Sequence, residues 1–262
     1  MKWPRKKWVG FIIGIAIGIP LGPLLAKSSD HNPAWVNRAL AVLLLAGLPI
    51  LAFRAASLIR RGKIPVLSPL KRYLLGIPWV LFPAMVACDL LFKVSPDSVF
   101  DWFDPLDCRA LVVWIFILVF GAAGIAWSVI GLKRAGWLPR EPQSALLIPH
   151  TRAEKIVCVL VFAPVIGISE EFLYRGYLHR EVSGWVHSVP LAVAITSLAF
   201  GLAHAHQGPA GVVRGTLLGA LFAVPVVRLG VIYPSMFTHF LYDAVVLAWL
   251  GPKLVRAEQT PA

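Results

Sequence analysis

Apolar runs about twenty residues long follow one another almost end to end along this chain. That succession limits the fold more than any single motif. A helix needs about 20 apolar residues to cross the hydrocarbon core of a bilayer. Candidate spans lie at roughly 8–26, 36–53, 73–92, 111–131, 156–178, 189–206, 210–227 and 231–250. Hydrophobic residues make up 58% of the chain and charged residues only 15%, where a soluble domain carries about 25% charged residues. The expected fold is all-α: a polytopic integral membrane protein with about eight transmembrane helices.

The formal charge of +12 does not point to nucleic acid. Lys and Arg lie between the apolar segments, the pattern of positive-inside loops. The N-terminus, the 54–72 and 133–155 loops, Arg214 and the C-terminal tail together hold 18 of them, against 7 in the alternate set. Both termini are thus expected in the cytoplasm, and the aspartate-bearing loop SPDSVFDWFDPLDCR outside. The expected location is the cell membrane, of the bacterial inner-membrane type. The basic start MKWPRKKW leads into an apolar run with no A-x-A site after it, which favours a retained first span over a signal peptide. Cys88, Cys108 and Cys158 are scattered and form neither a disulfide framework nor a metal motif.

The polar segment 132–155 divides the chain. Residues 1–132 hold four helices with no assignable role and 133–154 form a cytoplasmic linker loop. Residues 155–250 carry the chemistry, and 251–262 are a polar tail.

Residues 169–180, SEEFLYRGYLHR, follow directly on an apolar run. A charge inside a span costs about 3 kcal/mol by insertion scales and marks a functional site by default. Glu171 and Arg175 stand at i,i+4 and can pair on one helix face. Glu170 points about 100° away from Glu171 and is free to meet another partner. Phe200-Gly-Leu-Ala-His204 closes the sixth span, and His239-Phe-Leu-Tyr-Asp243 lies in the eighth. His239 and Asp243 are also at i,i+4, as an imidazole with its orienting carboxylate or as two metal ligands.

An antiparallel hairpin turning near 184–187 sets Glu170 level with residues 201–202, about 3–5 Å along the axis from His204. A depth count from the span edges instead spreads Glu170, His204 and His239 over about 12 Å. A buried carboxyl with neutral histidines beside it can activate water, directly or through a metal. If a metal such as zinc is present, its ligands are Glu170, His204 and His239. Phe200 reads as packing that shapes the pocket, and His206 as loop. Asp89 reads as solvated or paired near the outer end of its span, and Tyr174 and Tyr242 as belt or packing residues.

EExxxR, then FxxxH, then HxxxD on consecutive hydrophobic segments resembles the CPBP intramembrane proteases. These include the type II CAAX prenyl proteases and the bacteriocin-processing and self-immunity proteins. The resemblance covers about 155–250 and implies an intramembrane endopeptidase acting on a membrane-associated peptide or protein, with no cofactor required on its glutamate-type reading. It implies Glu170 as general base and Glu171 with Arg175 as the charge-balancing pair. His204 would position the water, and His239 with Asp243 would stabilise the oxyanion. The last position is often Asn in that family. An ionised Asp cannot donate to an oxyanion, so Asp243 must be protonated, orient His239 or ligate a metal. A proton-coupled transporter would use similar residues but would more often repeat across both halves. A non-catalytic immunity or chaperone scaffold could lose the glutamate, and here all three motifs are complete.

Overall fold

A computed structural model describes residues 34–63, 67–94, 101–139 and 147–252. The first expected span and the terminal tail from 253 lie outside the described residues. Among the described residues there is no strand. The helices are α1 (Trp35–Arg60), α2 (Pro69–Val94), α3 (Cys108–Arg134), α4 (Arg152–Val186), α5 (Val189–Ala203), α6 (Pro209–Leu229) and α7 (Tyr233–Val245, continued by a π-helical turn over Val246–Leu250).

Five of these, α1, α2, α3, α4 and α6, are long and apolar enough to cross a membrane. The protein is therefore a multi-pass, all-α membrane protein. Two expected spans differ. The segment 189–206 is helical only over the 15 residues of α5, a rise of about 22 Å against a hydrocarbon core of about 30 Å. The segment 231–250 is helical, but His239 and Asp243 interrupt its apolar run. In the other direction, α4 continues to Val186, past the expected end at 178. Its polar residues Arg175 and His179 are buried against protein rather than marking a helix end.

Local chemistry sets the helix boundaries. The Asp107 carboxylate accepts from the backbone N–H groups of Arg109 and Ala110 at the start of α3. At the start of α4, Thr151 Oγ1 accepts from the Glu154 N–H, and the Glu154 carboxylate accepts from the Thr151 N–H. This reciprocal capping box satisfies donors that a helix start leaves without partners. The α4–α5 hairpin turns at His187, whose φ of 49° is the only positive value among the described non-glycine residues.

Two glycines let backbones touch. A Cβ on Gly167 of α4 would stand 2.8 Å from the Phe240 nitrogen of α7, and one on Gly201 of α5 would stand 2.6 Å from the Val212 oxygen of α6. Small residues at such crossings permit the close packing on which membrane helices depend.

The core is shared by the two halves of the chain. Leu40, Leu44 and Leu90 from α1 and α2 pack in one cluster with Leu173, Tyr177 and Phe200 from α4 and α5. A polar clasp reinforces the contact: the Tyr177 hydroxyl donates to the Asn37 side-chain oxygen at 2.6 Å, and the Asn37 amide donates to Glu181 at 2.5 Å. At the far end, the 101–107 loop closes over the helices. The Ile232 N–H donates to the Trp102 carbonyl at 3.0 Å, and the Trp102 ring packs on Gly176.

Candidate active site

Three helices bring the motif residues to one place. α4 carries Glu170, Glu171 and Arg175, and the end of α5 delivers His204. α7 crosses α4 at Gly167 and so places His239 and Asp243 beside the glutamates, which lie one turn further along. A π-helical turn over Phe172–Leu178 succeeds the glutamates and holds Arg175. Such wide turns recur at functional sites because they rotate the next stretch of the helix about its axis.

Glu170 Oε2 lies 3.9 Å from His204 Nε2 and 3.8 Å from His239 Nε2. This is the contact expected from the hairpin register, and the 12 Å spread from the depth count does not occur. Glu170 Oε2 is buried and accepts no hydrogen bond from the described residues. Both rings are fixed through their other nitrogen. His204 Nδ1 faces the Phe200 carbonyl at 2.8 Å, and His239 Nδ1 faces Glu171 Oε1 at 2.7 Å. A carbonyl or carboxylate only accepts, so each Nδ1 carries the proton and each Nε2 is turned to Glu170.

Glu171 does more than pair with Arg175. Its Oε1 lies 3.2 Å from Arg175 Nη1 and also takes the His239 bond. The carboxylate that orients His239 is therefore Glu171. Asp243, for which that role is one of the alternatives its spacing allows, stands 3.7 Å from His239 Nε2, on the side facing Glu170. Glu171 is fully buried and Arg175 nearly so. Their charges are held by each other and by aromatic rings, with the guanidinium carbon 4.2 Å from the Phe200 ring centroid and 5.9 Å from that of Phe222.

Phe200 shapes the pocket as expected, touching Tyr174, His204 and His239. Phe222, fully buried on α6 with its ring 5.3 Å from that of His239, has no sequence signal beyond being one more apolar residue in an apolar helix. His206 lies in the short 3-10 turn between α5 and α6, in keeping with the loop reading, and it also lines the cavity. α5 has ended by His204, so the 200° separation of a continuous helix no longer applies. The two rings stack at 6.0 Å and line the same cavity. Asp89 is half-buried on α2 and does not line the cavity.

The cavity has a volume of about 620 Å³. Glu170, His204, His239 and Asp243 lie on its wall together with apolar side chains such as Val80, Ile130 and Leu218. Among the described residues, no three His, Cys, Asp or Glu side chains are placed as a metal-ion ligand set. What the arrangement offers is an acceptor carboxylate and two oriented imidazoles in a chamber large enough for a peptide segment.

Residues 152–245 match the family model described as Type II CAAX prenyl endopeptidase Rce1-like. Neither the curated proteins nor the solved structures gave a match. The matched segment runs from the start of α4 through His239 and Asp243 of α7 and contains every motif residue of the site; over this segment the chain is similar to the Rce1-like type II CAAX prenyl endopeptidases.

Proposed function

We propose that the protein is an intramembrane endopeptidase that hydrolyses a peptide bond of a membrane-associated protein or peptide, with water activated by Glu170. The observation that carries this reading is the convergence of His204 Nε2 and His239 Nε2 on Glu170 Oε2 from separate helices. An oxygen about 2.8 Å from both Glu170 Oε2 and a histidine Nε2 fits these separations. Glu170 takes a proton from that water as its oxygen bonds to the peptide carbonyl carbon. The tetrahedral intermediate then collapses, the C–N bond breaks, and Glu170 returns the proton to the leaving amine. One water is consumed, and one carboxylic acid and one amine are formed. His204 Nε2 accepts a hydrogen bond from the water and holds it against Glu170, and His239, when protonated at both nitrogens, donates from Nε2 to the developing oxyanion. Glu171 and Arg175 keep His239 in register. No metal takes part in this scheme.

The test is cleavage of a lipid-anchored fluorogenic peptide by protein purified in detergent. Glu170→Ala and His204→Ala are each expected to lower the rate by about 10²–10⁴, with unchanged elution on size exclusion. Full activity in either variant would sink the assignment.

A further inference from the structure

Buried polar atoms that no protein group bonds gather on one helix. Among the described residues, those on α4 include Glu170 Oε2, Glu171 Oε2, the Tyr174 hydroxyl, Arg175 Nη2, His179 Nδ1 and Ser183 Oγ. Ser197 Oγ of α5 and the Tyr242 hydroxyl of α7 are the only others. Leaving such a group unbonded costs about 1–3 kcal/mol, so a row of them on one helix calls for a partner.

Glu171, Arg175, His179 and Ser183 stand four residues apart and form a single stripe. Such a stripe drifts around an α-helix by about 40° a step. The wider π-helical turn over Phe172–Leu178 turns less per residue and keeps the first three members in line. Successive members are about 6 Å apart along the axis, the reach of two hydrogen bonds of about 2.8 Å. One water between each pair would satisfy both neighbours. The Arg175 guanidinium lies on the Phe200 ring of α5, so the antiparallel hairpin sets Ser197 level with the interval between Arg175 and His179. A Cβ on Gly219 of α6 would stand 3.0 Å from the Ser197 Cα, so α6 packs closely at that level.

The opposite face of α4 shows the contrast. Tyr177 and Glu181 lie about 200° round from Arg175 and His179. Tyr177 is as deeply buried as Glu171, yet its hydroxyl donates to Asn37 of α1, and Glu181 accepts from the same Asn37. Polar groups that face α1 thus find protein partners, and those of the stripe do not. The stripe is also separate from the cavity, since Tyr174, Arg175, His179 and Ser183 do not line it. The cavity reaches Arg72, Lys133, Arg134 and Arg214, residues of segments expected on the cytoplasmic side. From Glu171 the stripe runs the other way, about 18 Å to Ser183, where Gly184 and Trp185 are exposed at the α4–α5 turn.

We propose that this stripe is a second water route, which carries water from the α4–α5 turn to Glu170 behind the peptide-binding cavity. The route's purpose rests on the proposed endopeptidase reading: each turnover consumes one water, and a peptide packed between apolar walls shuts the cavity to solvent. The Tyr174 hydroxyl is the last relay before the attacking position. It stands one turn from Glu170 on the same helix, and its ring packs edge-on against Phe200, which also touches His204. The fixed charge of Arg175 midway along the stripe favours water over protons and metal cations.

X-ray radiolysis of the wild-type protein in nanodiscs, read by mass spectrometry, labels side chains that have water beside them. Tyr174 is expected to label several-fold faster than Tyr177 and Tyr73, which are similarly buried but have hydroxyls bonded to Asn37 and to the Leu147 carbonyl. His179 should label along with Tyr174. Cleavage of the lipid-anchored peptide supplies the second readout, because kcat scales with the time that a water spends at Glu170 while peptide fills the cavity. His179→Leu and Ser183→Val should each lower kcat by about tenfold at saturating peptide with KM unchanged, and His179→Gln should keep most of the rate. Leucine at 179 removes a buried, unbonded group, so the melting temperature of that variant should not fall. A merely structural histidine would show the reverse, with stability lowered and kcat intact. Labelling of Tyr174 no faster than that of Tyr177 overturns the inference, and so does an unchanged kcat in His179→Leu and Ser183→Val. If wild type labels as expected but cleaves no peptide, the hydrolytic reading fails and the hydrated stripe stands.

Discussion

α3 and α4 are both long, apolar helices able to cross a membrane, yet they solve the bilayer problem in opposite ways. α3 turns large side chains outward: Phe120 and Trp127 are 68% and 73% exposed, and its ionisable residues are confined to its ends. It is a wall. α4 carries Glu170, Glu171 and Arg175 deep in its length and turns all three toward protein, where α5, α6 and α7 receive them. The lesson is that hydropathy identifies both helices as spans, while burial of the polar minority separates a wall from a working helix. A charge in a span is tolerated where it faces the bundle interior and finds partners.

Three substitutions sharpen this contrast, and their effects should fall in a definite order. Arg175→Leu in α4 leaves the Glu171 carboxylate buried without its cation. Removing one partner of a buried pair costs about 3–5 kcal/mol, so thermal unfolding in detergent should show a large loss together with loss of activity. An unchanged melting temperature would mean that the ion pair is not structural. Gly167→Val should do less. Its side chain would press on the Phe240 backbone, and overpacking of this kind costs about 1–3 kcal/mol. Because α7 carries His239, activity should fall further than stability does; equal losses would argue that the crossing positions nothing. Phe120→Leu, on the lipid face of α3, should change stability by no more than about 0.5 kcal/mol and leave turnover intact. A loss of activity there would show that α3 is more than a wall.

Much of the site is legible in residue order, and the rest is hidden for physical reasons. Spacing alone gives the Glu171–Arg175 pair, because i,i+4 neighbours share a face whatever surrounds them. The meeting of Glu170 with His204 comes from counting residues back from a turn. The bond from His239 to Glu171 cannot be read, because it depends on how α7 crosses α4 at Gly167, and one sequence does not encode a crossing angle in any local pattern. Spacing allows Asp243 as an orienting group or a second metal ligand, since it shares the helix of His239; tertiary packing gives the orienting contact to Glu171. Residue order overstates the length of α5 because Ala-His-Gln continues the polar edge of an apolar run without a strong stop signal before Gly208. Arg214 enters only as a loop cation, because nothing in its neighbours shows that the start of α6 faces a cavity.

The central claim is that a carboxylate, Glu170, does the proton transfer at this site. Turnover of a lipid-anchored peptide by wild type and by Glu170→Gln, each with and without a strong zinc chelator, tests it directly. The account predicts that wild type keeps its rate in chelator and that Glu170→Gln falls by about 10²–10⁴ while remaining folded. Cleavage by Glu170→Gln at the wild-type rate, or loss of wild-type activity in chelator with recovery on adding zinc, would contradict it.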